Sequence, residues 1–391
     1  MRGSAAASHP AQERSGGWDW QLLILTSLLV LFGLLMIQSA GSWRSDRLYG
    51  DPLHFVTRQL LGLGVGAVAA ATVIMAPYRL LRLLAWPAYV GSLLLLLLVV
   101  MTPLGHSAKG ATRWLSLGGV TLQPSEAAKL ALIVVLADYL ANNRGRLGDV
   151  VGVGLPGLGL LLPMMVLVIF QRDFGTTLIL LGLAGVLFIV AGLRWRYVVG
   201  GLSTGLALLA SLIAIEPYRV RRMTSFLNPF VDPGGSGYQV VQGWIALATG
   251  GPFGVGLARG VAQQEFLPEA HNDFIIAVIG EELGAVGFVA AVGLLLLLVR
   301  RSFQIACCAP DLFGMLAAAG IGAMFAAQSI INIGVVGGCL PTKGLVLPFL
   351  SYGASAAVVH MVSIGVLLKI WMESQLQAAR PPDRRPRAGE G

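Results

Sequence analysis

Ten stretches of this chain are apolar and long enough to cross a lipid bilayer, and they leave little choice of fold. They lie near 20–40, 55–75, 84–102, 123–141, 150–170, 174–192, 197–216, 273–299, 312–336 and 353–372. A spanning helix needs roughly 20 predominantly apolar residues. In hydrocarbon every backbone N–H and C=O must be satisfied internally, which restricts spanning structures to helices and closed barrels. A barrel would read as short alternating segments. Here runs such as Leu22–Met36 and Leu93–Met101 are continuous. Only 12% of the 391 residues are charged and 56% are hydrophobic, against about 25% charged in a soluble domain. The expected fold is therefore an all-α polytopic membrane protein. It has about ten transmembrane helices and a long extracytoplasmic loop over 217–272, between helices seven and eight.

Residues 1–17 are small, polar and without apolar periodicity, which predicts a disordered N-terminus. Trp18 and Trp20 follow, where interfacial aromatics belong. The first apolar run is of full spanning length, so no cleavable signal is expected. The spanning domain covers 18–372, and 373–391 form a polar tail rich in Pro and Arg. Ten spans put both termini on one side. The tail bases and the pairs Arg79/Arg82, Arg144/Arg146, Arg194/Arg196 and Arg300/Arg301 make that side cytoplasmic. The net charge of +8 is accounted for by these basic edges and does not argue for nucleic acid. Cys307, Cys308 and Cys339 have no metal-binding spacing and read as structural. No Walker-type phosphate loop is present.

The polar chemistry gathers in the segments this topology places outside. Arg113 and Trp114 read either as an interfacial anchor or as part of an anion-binding re-entrant loop, with Gly118-Gly119 as its turn. Pro124, Ser125 and Glu126 suit the first turn of the next helix. Lys129 follows Glu126 by three residues and shares its face, as a local ion pair or as an anion contact. In Gln171-Arg-Asp-Phe-Gly-Thr-Thr177, Arg172 and Asp173 read as a self-neutralising tight turn. Arg219, Arg221 and Arg222 form a basic cluster, either solvated or suited to a pyrophosphate. Glu269, His271 and Asp273 fall within five residues, just before a long apolar run. Pro268 can open a helix there, with Glu269 and Asp273 on one face and Asn272 or Asp273 as the cap. Glu281 and Glu282 lie deeper, about 12 Å along such a helix, where a charge must face protein or water. The Gly- and Pro-rich stretch 332–355 carries Lys343 and Ser351 and is irregular at membrane depth, so it is buried in protein or lines a wet cavity.

In this order the stretches resemble the SEDS family of bacterial cell-wall proteins, FtsW, RodA and SpoVE. The motifs are Arg-Trp-Leu…Gln-Pro-Ser-Glu…Lys at 113–129, Gln-Arg-Asp-Phe-Gly-Thr at 171–176 and Gly-Ser-Gly-Tyr-Gln at 235–239. They continue with Leu-Pro-Glu-Ala-His-Asn-Asp-Phe at 267–274 and Leu-Pro-Thr-Lys-Gly-Leu…Pro-Phe-Leu-Ser-Tyr-Gly at 340–353. Pro-Glu-Ala-His with Pro-Thr-Lys-Gly looks more like the division member than the elongation member. Asn272, Arg172, Ala354 and Ala356 depart from the family's usual Thr, Pro, Gly and Ser.

The resemblance implies a peptidoglycan glycosyltransferase of the cytoplasmic membrane. It would polymerise lipid II at the outer face beside a class B penicillin-binding protein and other divisome membrane proteins. The family's essential aspartate falls on Asp273, the candidate base. Arg113, Lys129, Arg219, Arg221, Arg222 and Lys343 are the cations available to the leaving pyrophosphate. Trp114, Ser125, Glu126, Glu269, His271 and Ser351 complete the expected substrate site. A divalent ion, Mg²⁺ or Mn²⁺, is expected to share the anion's charge, with ligands the sequence does not fix. The rival readings are a lipid II flippase, kept open by Glu281 and Glu282, and a RodA-like elongation polymerase.

Overall fold

The computed structural model describes residues 17–379 except 104, 109, 110, 118, 119, 216–219, 221–225, 232–234, 236, 262–266, 268 and 343. The expectations placed on 1–16, 380–391, Pro268, Arg219, Arg221, Arg222 and Lys343 lie outside the described residues. So does the Gly118-Gly119 turn.

The chain is a helical bundle. Helix α1 (Trp20–Tyr49) is followed by α2 (His54–Met75), a short α3 (Tyr78–Leu83), α4 (Ala85–Met101) and α5 (Pro124–Asn142). Then come α6 (Leu155–Phe170), α7 (Phe174–Ala191) and α8 (Trp195–Ala214). The remainder is α9 (Tyr238–Gly250), α10 (Ile275–Glu282), α11 (Gly284–Cys307), α12 (Leu312–Val336) and α13 (Ala354–Ala379). Among the described residues 8 helices are long and apolar enough to cross a membrane. The two other expected spans are also helical. Helix α4 is 17 residues long, and α5 carries Glu126, Lys129 and Asp138, all buried.

Helix α1 starts where Asp19 accepts from the Leu22 N–H (3.1 Å). It runs nine residues past the expected end at 40, because Gly41-Ser-Trp-Arg continues the helix until Gly50 terminates it in a left-handed conformation. Its last turns carry Arg44, which pairs with Glu269 at 3.1 Å. Helices α5, α7, α12 and α13 form the interior. Helix α8 is the most exposed, with only Val198 and Leu209 buried. Association in lipid relies on close packing of small residues. Helix α2 meets α13 in this way, and a Cβ at Gly62 or Gly66 would lie within 3.0 Å of α13.

Three regions differ from the sequence reading. The 103–122 segment is a three-stranded antiparallel sheet, β1 (Gly105–Ala108), β2 (Ala111–Leu117) and β3 (Val120–Leu122), rather than an irregular re-entrant loop. Helix α13 runs past the expected span end at 372, to Ala379. The expected single span over 273–299 is broken. Residues 269–274 are turns, with Glu269 at φ 59°, and the helix begins only at Ile275. Glu269 and Asp273 thus do not share a helix face, and no side chain caps α10. A second break falls at Gly284, whose φ is +68°.

The 251–256 loop completes the broken helix. The Val255 and Gly256 N–H groups donate to the Glu281 and Glu282 carbonyls at 3.0 Å, and the Ala285 and Val286 N–H groups donate to Gly251 and Pro252 (2.9 and 3.2 Å). The carbonyls and N–H groups freed by the break are satisfied by chain rather than water. A Cβ on Gly284 would come within 2.4 Å of the Gly254 nitrogen, and a positive φ is costly for any other residue. Gly284→Ala is expected to destabilise the protein by about 1–3 kcal/mol, read as a lowered thermal midpoint in detergent. Gly64→Ala, at a glycine with nothing within 4 Å, is expected to leave the midpoint unchanged.

Candidate active site

Five separate segments converge at one end of the bundle. They are the end of α1, the 105–123 sheet, the α6–α7 turn, residues 251–274 and residues 337–353. Each is tied to another by a specific contact, and the 337–353 segment meets both residues 251–274 and the start of α7.

Asp273 ends the turn that leads into α10 and is half-buried. Its backbone carbonyl accepts from Asn332 Nδ2 (3.1 Å), and the same nitrogen donates to the Leu345 carbonyl (2.8 Å). Gly344 lies against the carboxylate, so a Cβ there would sit 3.1 Å from Asp273 Oδ2. Glu269 pairs with Arg44 from α1 at 3.1 Å. His271 is buried and stacks on Phe55 of α2, ring centroids 4.3 Å apart and 16° from parallel. Its carbonyl accepts from the Tyr352 N–H (3.0 Å). Burial pushes the Tyr352 phenol above its ordinary pKa, with Arg58 opposing. The triad of the sequence reading is thus divided. Asp273 faces the 344–345 backbone, Glu269 is held by a cation, and His271 is an aromatic packing residue.

Arg113, on β2, donates to the Arg172 carbonyl (2.7 Å) and stands 3.9 Å from Asp173. Asp173 caps α7 through the Thr176 N–H and hydroxyl (3.2 and 2.9 Å). This group joins the Asp273 loop through Leu345, whose side chain lies over Gly175, so that a Cβ there would sit 3.5 Å from it. Trp114 lies beside Arg113 on the strand, half-buried. Ser351 is buried and accepts from the Leu347 N–H (3.0 Å), which folds the 347–351 turn rather than presenting a hydroxyl to solvent.

Ser125, Glu126 and Lys129 occupy the first two turns of α5, beneath the Gln123–Ser355 hydrogen bond (3.1 Å). Lys129 has no exposure, and its Nζ donates to Glu126 Oε1 at 2.7 Å. The local ion pair expected from the spacing is formed, and it closes Lys129 off from the surface. Ser125 Oγ and Glu126 Oε2 are buried without a hydrogen-bond partner among the described residues.

Glu281 and Glu282, left without a role by the sequence, are structural here. Glu281 Oε1 accepts from the Val261 N–H (2.9 Å). Ser39 of α1 donates to both Glu282 oxygens (2.7 and 2.6 Å) and accepts from the Ala258 N–H (3.1 Å). The two carboxylates pin the 255–261 loop onto α1 and α10. Sequence reasoning missed Asn332, Arg44 and Phe55 as parts of the site. An amide inside an apolar helix, and an arginine at the end of an over-long one, are the signals that mark the first two.

A family model described as "Cell cycle protein", covering FtsW, RodA and SpoVE, matches residues 19–376. A protein of Geobacter sp. (strain M18) named "Probable peptidoglycan glycosyltransferase FtsW" is 38% identical over 357 residues, 91% of this chain and 97% of that one. Stage V sporulation protein E of Bacillus subtilis (strain 168) is 38% identical over 352 residues, 90% of this chain and 96% of that one. Among solved structures, a chain described under "Structural coordination of polymerization and crosslinking by a peptidoglycan synthase complex" aligns with a TM-score of 0.76. It is 34% identical and covers 91% of this chain and 98% of that one. The rod shape determining protein RodA of Thermus thermophilus aligns at 0.67, 32% identical, over 90% and 96% of the two chains.

Breaking a buried ion pair by removing one partner leaves the other charge uncompensated, at a cost of about 3–5 kcal/mol. Lys129→Met is expected to lower the thermal midpoint accordingly. Lys129→Met combined with Glu126→Gln is expected to recover most of the loss. Unfolding of the two variants in detergent checks both, and a single variant as stable as the parent would contradict the buried pair.

Proposed function

Because this chain belongs to the cell cycle protein family of FtsW, RodA and SpoVE, we propose that it is a peptidoglycan glycosyltransferase. It is a multi-pass protein of a bacterial membrane, and its task is to polymerise lipid II into glycan strands for septal wall synthesis. The observation that carries this reading is likeness over nine-tenths of the chain to relatives named for that activity. The convergent end of the bundle, with Asp273 at its centre, faces the outside. The basic loops and both termini face the cytoplasm.

The acceptor hydroxyl of one sugar attacks the anomeric carbon of another. A new C–O bond forms as the bond to the lipid pyrophosphate breaks. Asp273 takes the hydroxyl proton as the nucleophile closes, and the pyrophosphate departs with the bonding pair. A single displacement inverts the anomeric centre and needs no covalent intermediate. Arg113 is the described cation best placed for the departing charge, since Asp173 and the Arg172 carbonyl hold it in position. Lys129 would serve only if the first turns of α5 opened. Arg219, Arg221, Arg222 and Lys343 are further cations for the same anion.

A divalent metal fits this site in a limited way. No cluster of three or more His, Cys, Asp or Glu is present among the described residues. Mg²⁺ is commonly held by one or two carboxylates together with substrate phosphates and water. Glu269 would be the protein ligand, at the expense of its pairing with Arg44, which leaves the role of base to Asp273. Substrate phosphates would supply the rest of the hold on the ion. Bound there, Mg²⁺ or Mn²⁺ would neutralise charge on the leaving group. The partner is a class B penicillin-binding protein that cross-links the product, alongside other divisome membrane proteins. This is in keeping with the solved relative described by polymerisation and cross-linking in one complex.

Purified protein with labelled lipid II and Mg²⁺, with and without the partner, is expected to give moenomycin-resistant polymer. Folded Asp273→Ala is expected to lose about 10²-fold or more of that rate. Equal polymer from both would remove Asp273 as the base. Lipid II crossing vesicles without polymer would favour the transport reading instead.

A further inference from the structure

The buried amide of Asn332 stands between the two segments that matter most to Asp273. It sits near the end of α12 and is 2% exposed. Both Nδ2 hydrogens are committed to backbone carbonyls in other segments, Asp273 at 3.1 Å and Leu345 at 2.8 Å. An amide donates two hydrogens from one planar nitrogen, so these two carbonyls are held at one fixed spacing.

That spacing sets the surroundings of the carboxylate. Gly344, the residue before Leu345, is the backbone against which Asp273 rests. The Leu345 side chain lies on Gly175, two residues from the Asp173 that faces Arg113. Asp273 itself precedes α10, where the first helical N–H groups of Ala277 and Val278 go to Phe274 instead. Its carbonyl is thus fixed from α12 rather than by its own helix.

We infer that Asn332 is a positioning residue for the transfer reaction. It staples the Asp273 turn to the 344–345 backbone and thereby fixes the distance between the base and the Arg113 side of the site. The inference rests on Asp273 acting as the proton acceptor. Asn332 touches neither substrate nor the reacting atoms, and it acts through backbone placement alone. A displacement of about 1 Å in a reacting group lowers a rate on the order of 100-fold.

The test compares full-length wild type with Asn332→Ala, Asn332→Ser and Asp273→Asn in lipid nanodiscs. Polymerisation of lipid II gives kcat and KM, and hydrogen–deuterium exchange reads residues 269–274 and 344–350. Asn332→Ala is expected to lower kcat by about 10- to 100-fold with KM within about threefold, and to speed exchange in both segments together. A smaller folded fraction would by itself lower apparent kcat with KM unchanged, so rates are normalised to the folded protein recovered by size-exclusion chromatography. A merely structural role would leave that normalised kcat at the wild-type value. Should Asn332→Ala fail to fold, Asn332→Ser, smaller and still polar, is expected to show the same split. Unchanged exchange in both segments overturns the staple. Faster exchange with kcat retained overturns its role in positioning. If Asp273→Asn polymerises like wild type, the choice of base has failed, and the exchange measurement still decides whether the staple exists.

Discussion

A broken helix inside a membrane bundle has to find substitutes for the hydrogen bonds it gives up, and the rest of this structure follows from how that is done. An orphaned backbone group in hydrocarbon costs several kcal/mol. Here the 251–256 backbone supplies four hydrogen bonds across the gap at Leu283–Gly284. The 251–256 loop is therefore held on the bundle. Because it is held, the turn at 269–274 has a fixed approach to α10, and Asp273 arrives at a defined place instead of one turn down a continuous helix.

The same economy of partners recurs at the side chains. Glu281 and Glu282 would be expensive charges within a span, yet each takes a backbone or hydroxyl donor from the 255–261 loop or α1. Charge-assisted bonds of this kind are stronger than neutral ones, and they anchor the loop from the inside. Arg44 and Glu269 do the equivalent on the outside, where partial exposure weakens an ion pair. The 255–261 loop is thus held by buried carboxylates, and the 269–274 turn by a weaker, partly exposed ion pair.

The architecture was largely legible because apolar length is a strong signal. All ten expected spans are occupied by helix, though one is split and α1 overruns its mark. The split was hidden because Glu281-Glu282-Leu-Gly284 reads as a polar interruption of a helix. Only the three-dimensional neighbour, the Gly254 backbone, shows why Gly284 must be a glycine. The turn at Glu269 was hidden for a related reason. Pro268 and the acids that follow satisfy every local rule for a helix start, and a positive φ at Glu269 is enforced by tertiary contacts that no local pattern carries. Asp273 was chosen through resemblance, because the residue-level logic alone did not separate it from Glu269 and His271. Distance separates them now: His271 stacks on Phe55, Glu269 pairs with Arg44, and Asp273 rests against Gly344.

Lys129 shows where a rule of composition stops being informative. A lysine three residues after a glutamate reads equally as a local pair or as an anion contact. Burial decides between them, since the side chain has no exposure and its ammonium is 2.7 Å from Glu126. Such a pair gains little net stability over apolar residues of the same volume. What the pair does supply is a neutral interior: with ammonium and carboxylate matched, the start of α5 can be buried against α13, where the Gln123 N–H donates to Ser355 Oγ, without an uncompensated charge.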